Sequence, residues 1–381
     1  MMESRFDIVV IGAGIAGASV AAELARTNKV ALLEREDMPG YHSTGRSAAL
    51  FSEIYGNEPV RALSRASRDF FFNTPDGFSP TPLVKPRGSL HIAAPAQLSI
   101  LKDFAASPDV AASVRLVSAE EALRLCPILK PEQVVAAVIE DDAADVDVNA
   151  LHQGYLRQFQ GFGGTLVLNA FVRTLRHEKQ GWRIETERDV FSASVVVNAA
   201  GAWADSVAEM AGAQPLNIQP CRRTAILVEL PPGIAPDAWP MVIDIEESFY
   251  MKPDAGLLLV SPADETPVAP SDVQPEELDV AIAVDRIETA TSLQVKRIRK
   301  RWAGLRSFAP DRSPVIGFDP SMPGFFWLAG QGGYGIQTAP AASKLASALL
   351  RGEMPSAEGN DLVAQLSPSR FAQATARRSR A

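Results

Sequence analysis

The residues most suited to chemistry stand near the start of the chain, where three glycines follow the spacing G-x-G-x-x-G. They are Gly12, Gly14 and Gly17, and they come directly after the apolar run 8–11. Gly12 allows a tight turn, Gly14 lets the backbone approach a pyrophosphate, and Gly17 lets helix and strand pack closely. Glu34 follows about 20 residues on, as recognition of a ribose hydroxyl requires. The pattern predicts dinucleotide binding.

Regular elements must hold these groups in place. The run 8–11 predicts a strand, 18–25 a helix, and 29–33 a second strand that ends at Glu34. Phosphates would then sit at the N-terminus of the helix, where free N–H groups and the helix dipole favour negative charge. A second glycine-rich turn, 330–337, stands between a predicted strand and a predicted helix near the end of the chain. Its helix N-terminus could bind another polar ligand atom.

Bulk properties exclude several classes of protein. The 381 residues are 46% hydrophobic and 22% charged, which is ordinary for a soluble globular chain. The net charge of −8 argues against nucleic acid as the main partner. Two cysteines, Cys126 and Cys221, make no disulfide framework and fit a reducing compartment. We therefore expect a cytoplasmic protein, with membrane contact at most peripheral.

The order of elements predicts an α/β fold, α+β overall, in which a Rossmann-like domain carries an inserted domain with a mixed or antiparallel sheet. Nucleotide-type elements occur at the start, middle and end of the chain, whereas 219–307 reads as alternating strands and turns. We also predict a surface loop over 262–277 and a helix over 278–301. The expected boundaries are 1–85, 145–215 and 318–365 for the Rossmann-like domain, 86–144 and 216–317 for the substrate domain, and 366–381 for a disordered basic tail.

The chain resembles the FAD-dependent D-amino-acid oxidase superfamily, which includes the glycine and sarcosine oxidases, and within it most resembles the bacterial D-arginine dehydrogenases. The resemblance covers nearly the whole chain. Its most specific segments are 33–36, 40–49, 149–157, 197–205, 247–256, 302–308 and 330–338. It implies that the dinucleotide is FAD. Sarcosine oxidases attach their flavin through a cysteine, and the matching position here is Gly304, so non-covalent FAD is expected.

The resemblance also implies which residues hold the cofactor. The first glycine motif and Glu34 would hold the ADP half, Val172 would meet the adenine, and the loop after Gly40 would line the pyrophosphate and flavin. The closing turn would reach the flavin ring and its ribityl chain. The expected set is Gly12, Gly14, Ile15, Ala16, Gly17, Glu34, Arg35, Thr44, Arg46, Ser47, Ala48, Val172, Ala200, Gly201, Trp203, Gly332, Gly333, Tyr334, Gly335, Ile336 and Gln337.

Oxidation of an amino acid by a flavin leaves the protein to grip the carboxylate, orient the amine and exclude water. The resemblance assigns the carboxylate to Arg223 and Arg306, whose planar forks match it with two hydrogen bonds. Structural ion pairs are the alternative for both, and Arg222 could exchange roles with Arg223. Tyr250 would add a hydrogen bond.

Three further residues have competing interpretations. Tyr55 would assist Tyr250 or act as a lid, but either tyrosine could instead be a core aromatic. Gln337 and the Gly333 carbonyl would contact the substrate, although Gln337 could merely cap its helix. His42 fits a loop-structuring role better than that of a catalytic base, and His91, His152 and His177 are isolated, with no metal spacing.

Departures from the family pattern bear on the substrate. D-Arginine-active relatives carry a histidine and a tyrosine where this chain has Leu50 and Phe51, and an acid where it has Ser89. A cationic side chain would therefore lack its partner, which costs on the order of a few kcal/mol. We expect apolar or small D-amino acids to be better substrates than D-Arg. The expected substrate pocket comprises Leu50, Phe51, Ser52, Ser89, Met241, Ile243 and Gly333.

Three functions remain open at this stage. The first is oxidative deamination of D-amino acids to imino acids, which hydrolyse to 2-oxo acids and ammonia, with a quinone, a carrier protein or oxygen as electron acceptor. The second is oxidation of glycine, sarcosine or another secondary amine. The third is a non-catalytic flavoprotein subunit or assembly factor, which need not keep Arg306, Tyr250 and Gln337 together.

Overall fold

The computed structural model describes residues 3–353 and 357–371. The helices are α1 (Ile15–Leu24), α2 (Glu58–Phe72), α3 (Leu98–Ala106), α4 (Ala119–Leu125), α5 (Val148–Gly161), α6 (Ala204–Ala211), α7 (Glu277–Ala290), α8 (Gly335–Leu350) and α9 (Ala357–Leu366). Short 3-10 helices cover Thr44–Arg46, Pro95–Gln97, Pro131–Gln133 and Gly201–Trp203. The predicted basic tail falls largely on 372–381, outside the described residues.

The strands are β1 (Glu3–Arg5), β2 (Ile8–Ile11), β3 (Val30–Leu33), β4 (Leu50–Phe51), β5 (Val84–Pro86), β6 (Ser89–Ala93), β7 (Arg115–Ser118), β8 (Ala136–Glu140), β9 (Ala144–Val146), β10 (Thr165–Val167), β11 (Val172–Glu178), β12 (Gly181–Thr186), β13 (Val190–Ala193), β14 (Val195–Asn198), β15 (Gln219–Val228), β16 (Met241–Asp244), β17 (Tyr250–Asp254), β18 (Leu257–Ser261), β19 (Thr266–Pro267), β20 (Ile298–Phe308), β21 (Val315–Phe318), β22 (Phe325–Ala329) and β23 (Gln331–Gly332).

The first large sheet is the Rossmann-like one, in the order β10-β3-β2-β14-β22-β21. Its first five strands are parallel, and β21 closes the edge antiparallel to β22. Strands β2, β3 and β22 are buried along their whole length, because other elements cover both faces of the sheet. Helices α1, α5 and α8 share one core with this sheet. The predicted α/β fold is confirmed.

The second large sheet has ten strands, in the order β23-β20-β15-β18-β17-β16-β6-β8-β7, with β19 paired to β15. Its pairings are antiparallel except for β16 with β6. One face packs on α4 and α7, in a core that includes Leu90, Ile226 and Val260. The opposite face carries Tyr250 and Ile243 and turns toward the Rossmann-like sheet through the loop 43–48. A four-stranded sheet, β1-β13-β12-β11, and a three-stranded one, β4-β9-β5, complete the topology.

The predicted helix over 278–301 is wrong in its second half. Helix α7 ends at Ala290, and Thr291 leaves helical geometry with φ −131° and ψ 166°. Threonines and serine at 289–292 have low helix propensity because their branched or hydroxyl side chains favour other conformations. From Ile298 the chain is instead an eleven-residue strand, β20, paired with β15 along its length. Within the described ranges, no helix combines the length and the apolar character needed to cross a bilayer.

Candidate active site

A long cleft lies at the carboxyl ends of β2, β3, β14 and β22. Residues within three positions after these strands line it, including Gly12, Glu34, Ala200 and Gly332. The cleft contains about 1720 Å³ of space between its walls, counting the solvent-open mouth. Its lining includes Gly12 and Glu34 beside the Rossmann-like sheet and Arg306 and Gly333 beside the second sheet. The cleft can therefore take an extended dinucleotide.

The glycine turn has the tight geometry that its sequence predicts. Gly12 has φ +99°, and a Cβ there would lie 2.6 Å from the Ala199 carbonyl oxygen. A Cβ on Gly17 would lie 1.8 Å from the Gly12 carbonyl oxygen, so side chains are excluded at both positions. Gly14 and Ala16 line the cleft at the start of α1. The first-turn N–H groups of this helix lie where a pyrophosphate would bind.

Two side chains fix the turn from opposite sides. The buried Glu34 carboxylate accepts hydrogen bonds from the N–H groups of Ala13 (2.9 Å) and Glu36 (3.1 Å). The Thr44 hydroxyl accepts a bond from the Ile15 N–H (2.9 Å). Glu34 lines the cleft and keeps further lone pairs, since a carboxylate offers about four acceptor sites. It can therefore still accept from a ribose hydroxyl.

The loop after Gly40 joins the cleft to the second sheet. Arg46 donates to the carbonyls of Ala303 (3.0 Å) and Val273 (3.1 Å) and pairs with Asp272. The Ser43 hydroxyl donates to the Leu305 carbonyl (2.6 Å). These bonds hold the cleft wall against β20.

His42 has a structural environment. Its Nε2 lies 2.8 Å from a Glu36 carboxylate oxygen, and its ring packs 4.7 Å from that of Trp203. The Arg35 guanidinium also lies over the Trp203 ring, 4.7 Å from the ring centre. This arrangement matches the loop-structuring interpretation of His42.

Most residues expected to hold the cofactor line the cleft together. They are Gly12, Gly14, Ile15, Ala16, Glu34, Arg35, Thr44, Arg46, Ser47, Ala48, Val172, Ala200, Gly201, Trp203, Gly332, Gly333, Gly335 and Ile336. Gly17 lies behind the turn, and Tyr334 packs between Tyr55 and Phe308 outside the lining. Gly304 faces the cleft, and among its described lining residues there is no cysteine. The walls fit an FAD molecule.

A smaller cavity opens from the cleft on the side of the second sheet. The two share Ser47, Ala48, Tyr250, Arg306, Gly333 and Ile336. The other residues that line the cavity are Ala49, Leu50, Ser52, Tyr55, His91, Met241, Ile243, Glu247 and Gln337. A ligand in this cavity would meet the part of the cleft expected to hold the flavin ring.

Arg306 is the cation that both spaces share. Its Nη1 donates to the Tyr55 hydroxyl oxygen at 2.8 Å. In the described part of the chain, no carboxylate lies within ion-pair distance of its guanidinium. Its planar fork therefore stays available for an anion. Gly333 makes room for it, because a Cβ there would lie 2.8 Å from the Arg306 guanidinium carbon.

Arg222 and Arg223 point to opposite faces of β15, as strand alternation requires. Arg222 faces α7, where it pairs with Asp279 (2.9 Å) and Glu276, so its charge is used structurally. Arg223 faces the cleft and pairs with Glu265 at 2.9 Å. The Nε of Arg223 is buried and has no hydrogen-bond partner. Arg223 is therefore only partly neutralised.

The three site tyrosines differ in position. Tyr250 is buried, 6% exposed, and lies on both the cleft and the cavity. Tyr55 lies on the cavity, its ring 4.9 Å from that of Tyr334 in an edge-on contact. Burial raises the pKa of Tyr55 although the Arg306 cation acts against it. Tyr55 is thus a neutral phenol at neutral pH, able to donate a hydrogen bond.

Gln337 lies on the cavity, but its amide nitrogen is already used. It donates to the Ser52 carbonyl (3.0 Å) and the Ser64 hydroxyl (2.7 Å), and the residue is 2% exposed. These bonds reach residues outside α8, so the amide nitrogen of Gln337 does not serve as a cap of its own helix. Only the Gln337 amide oxygen is left for a ligand. Its donor bonds hold the segment 50–56 in place.

Five of the seven expected substrate-pocket residues line the cavity, namely Leu50, Ser52, Met241, Ile243 and Gly333. Phe51 and Ser89 do not. Strand alternation turns the Phe51 ring into the core, where it packs 5.2 Å from Phe71. Ser89 is fully buried behind the cavity, and its hydroxyl donates to Glu140 (3.2 Å).

Sequence reasoning missed three charged or polar groups here. His91 looked isolated, yet it lines the cavity. Glu247 lines it from the turn between β16 and β17, at φ +55°. Glu140 is buried, accepts bonds from the Ser52 hydroxyl (2.6 Å) and the Glu53 N–H (2.7 Å), and has a pKa that burial raises to about 7. The only signal was an acid ending the apolar run 136–140.

Comparisons with known proteins find relatives that match along most of the chain. The family model described as FAD dependent oxidoreductase matches residues 7–349. FAD-dependent oxidoreductase domain-containing protein 1 from Bos taurus is 24% identical, over 97% of this chain and 85% of that protein. Glycine oxidase from Geobacillus kaustophilus is 24% identical, over 92% and 94%.

A similar solved structure is that of L-proline dehydrogenase from P. horikoshii. It superposes with a TM-score of 0.84 at 22% identity, over 98% of this chain and 99% of the other. At this level of identity the likeness establishes the shared fold.

Proposed function

The chain belongs to the FAD-dependent oxidoreductase family, and from that premise we propose that it oxidises the Cα–N bond of free D-amino acids with uncharged side chains. Family membership makes it an FAD-dependent oxidoreductase. The products would be a 2-imino acid, which water converts to a 2-oxo acid and ammonia, and reduced cofactor. The observation that carries the proposal is the unpaired Arg306 guanidinium where the cleft meets the cavity.

An α-carboxylate is the ligand that best satisfies this cation. Arg306 would take it in a two-pronged bond, with Tyr55 and Tyr250 adding phenol hydrogen bonds. Binding the carboxylate fixes one end of the substrate and orients Cα against the cleft. Bound FAD supplies the acceptor for the hydride that leaves Cα.

The remaining walls explain why little acid–base machinery is needed. Leu50, Met241, Ile243 and Ile336 give the cavity an apolar lining that excludes water around the reacting carbon. The Gly333 carbonyl and the Gln337 amide oxygen are candidate acceptors for the substrate amine. The D configuration follows from the resemblance of 40–49, Arg223, Tyr250 and Arg306 to the D-amino-acid-oxidising members.

The preference for uncharged side chains follows from what the cavity lacks. Ser89, the position of the acid in D-arginine-active relatives, lies behind the wall and bonds to Glu140. The Glu140 carboxylate is itself buried behind Ser52 and Ser89. A guanidinium entering the cavity would therefore find no acid where those relatives place one, a loss on the order of a few kcal/mol.

A second candidate is oxidation of glycine or of a secondary amine. The relatives named glycine oxidase and L-proline dehydrogenase favour it, because one acts on the smallest amino acid and the other on a secondary amine. Either substrate still presents a carboxylate to Arg306. The two candidates therefore differ only in the amine and the side chain.

Anaerobic bleaching of the flavin absorbance tests the proposal. The protein as purified is mixed with D-amino acids, their L-isomers, glycine, sarcosine and proline in separate samples. We expect rapid bleaching by uncharged D-amino acids and slow bleaching by D-Arg. Bleaching only by glycine, proline or sarcosine supports the second candidate, and bleaching by none of the compounds rejects both. Comparing oxygen uptake with dye reduction then identifies the class of electron acceptor.

A further inference from the structure

His91 is a buried histidine that the reaction outlined above does not use. It lies on β6, is 7% exposed and lines the cavity. Its Nδ1 has no hydrogen-bond partner. Its ring centre lies 5.4 Å from that of Phe104 on α3. A buried polar atom without a partner costs free energy, so this nitrogen is a position where a ligand atom would be stabilised.

The register of three strands fixes where His91 stands relative to the carboxylate site. His91 pairs with Ile243 on β16, and Ile243 pairs with Tyr250 on β17. Paired residues share a face of the sheet, so the three side chains form one row across the cavity floor. At about 4.8 Å per strand, His91 lies roughly 10 Å from Tyr250. Ile243 lies between them.

This row gives the cavity two chemically different ends. Arg306, Tyr55 and Tyr250 form the end that would hold the carboxylate. Glu247 is exposed, and its charge acts on Tyr55 and Tyr334, so it belongs to the same end. The opposite end offers the His91 imidazole beyond an apolar stretch.

The state of the ring restricts what can bind there. Burial lowers the pKa of His91 to about 4, so the ring is neutral at neutral pH. A neutral imidazole has one N–H donor and one acceptor nitrogen. It can therefore bond a hydroxyl or a carboxamide. A charged group would have to give up its hydration without an opposite charge to replace it.

Building on the proposed function, we propose that His91 recognises the end of the substrate side chain and that the preferred substrates carry a hydroxyl or carboxamide there. The apolar middle of the cavity would pack on the aliphatic part of such a side chain. Specificity then comes from one hydrogen bond placed at the far end of the row Tyr250, Ile243, His91. A site with an unpaired polar atom discriminates strongly against an analogue that leaves it unpaired.

Near-isosteric substrate pairs test this role. The ratio of kcat/KM for threonine over valine, and for asparagine over leucine, is measured with the enantiomer that the protein oxidises. The variants are His91→Leu, which removes the polar atoms, and His91→Asn, whose amide can replace Nδ1. We expect the wild-type ratio to favour the polar member about tenfold. His91→Leu should lose this preference, and His91→Asn should keep most of it.

Controls separate this inference from the function it rests on. Flavin content and thermal unfolding are recorded for each variant, so that a lost preference is not mistaken for lost folding or lost cofactor. A wild-type preference for valine and leucine that His91→Leu leaves unchanged would overturn the role of His91 while leaving amino-acid oxidation intact. A flavin that no amino acid bleaches would reject the oxidation itself.

Discussion

Replacing Arg306 with methionine should disable the proposed reaction more than replacing any other arginine of the site. Methionine keeps much of the volume and removes the charge. In the described chain, the guanidinium has the Tyr55 phenol as its hydrogen-bond partner and no acidic one, so the charge is available to the substrate. Arg223 already pairs with Glu265, and its loss should cost less.

The expected size follows from the bonds that each arginine can offer. A hydrogen bond to a charged group contributes about 1.5–3 kcal/mol, and a two-pronged carboxylate contact makes two of them. Arg306→Met should therefore lower kcat/KM by about 10²- to 10⁴-fold, mainly through KM. Arg223→Met removes about one such bond and should lower it about 10- to 100-fold. Arg306→Lys should fall between, because lysine keeps the charge without the fork.

The assay is steady-state dye reduction with the best amino acid of the panel, together with titration of a non-reactive carboxylate analogue against the flavin spectrum. Arg301→Met is the matched control, because Arg301 lies on the same strand and pairs with the exposed Glu277. It should leave kcat/KM unchanged. A loss below about threefold in Arg306→Met, with flavin content and melting temperature intact, would refute the assignment of the carboxylate site.

Three more predictions test the cofactor turn, the buried acid and the cavity mouth. Gly12→Ala should yield flavin-free protein, whereas Gly77→Ala, also at positive φ but with open space around it, should keep its flavin absorbance. Burial raises the pKa of Glu140 from 4.5 to about 7. Its contribution to the free energy of unfolding is therefore fully present below pH 4.5 and is lost as the pH rises through 7. Urea unfolding should show that loss, on the order of 3 kcal/mol at most, in wild type and not in Glu140→Gln. Glu247→Gln should lower KM for amino acids at low salt, because Glu247 lies at the end that would hold the carboxylate and repels it. The difference from wild type should shrink at high salt as screening increases; equal KM values at low salt would count against an electrostatic role.

The parts of the fold that sequence predicts well are those that local rules govern. The turn at Gly12 needs a positive φ, and Glu34 needs only to end the next strand, so spacing alone locates both. The neighbouring helix α1 begins at Ile15, three residues before the predicted start at residue 18. The cleft and its FAD follow from these few positions together with the family pattern. The cofactor was therefore predictable, and the family match confirms it.

The substrate side was less predictable, because pairing between distant strands determines it. Reading 278–301 as a helix missed that β20 begins at Ile298 and needs β15 to form. Phe51 is correct in its element but faces the core, since one step along a strand reverses the face. Ser89 shares the face of His91 on β6, yet its hydroxyl is bonded to Glu140 and it does not line the cavity. His91 carries no local signal at all. It reaches the cavity only because β6 pairs in parallel with β16.

The adjacent residues Arg222 and Arg223 show that elements packed against a strand determine which of its side chains reaches the cleft. Alternation along β15 predicts that the two point to opposite faces, but which face meets the cleft depends on α7 and on the loop 262–277. That loop, predicted only to lie on the surface, supplies Glu265. Burial acts to raise the pKa of Glu265, but Arg312 and Arg223 outweigh it and hold the pKa below its usual value.

Glu265 therefore stays ionised and is shared between two cations. Arg223 and Arg312 each donate to the same Glu265 oxygen at 2.9 Å. One carboxylate cannot neutralise both, so a partial positive charge remains on the cleft side, next to the unpaired Arg306. A bound carboxylate would complete this balance, which explains why the fold tolerates Arg306 without an acid of its own. The same balance implies that the empty cavity should attract anions in general. Simple carboxylates should therefore compete with the amino acid, whereas amines that lack a carboxylate should neither bind nor bleach the flavin.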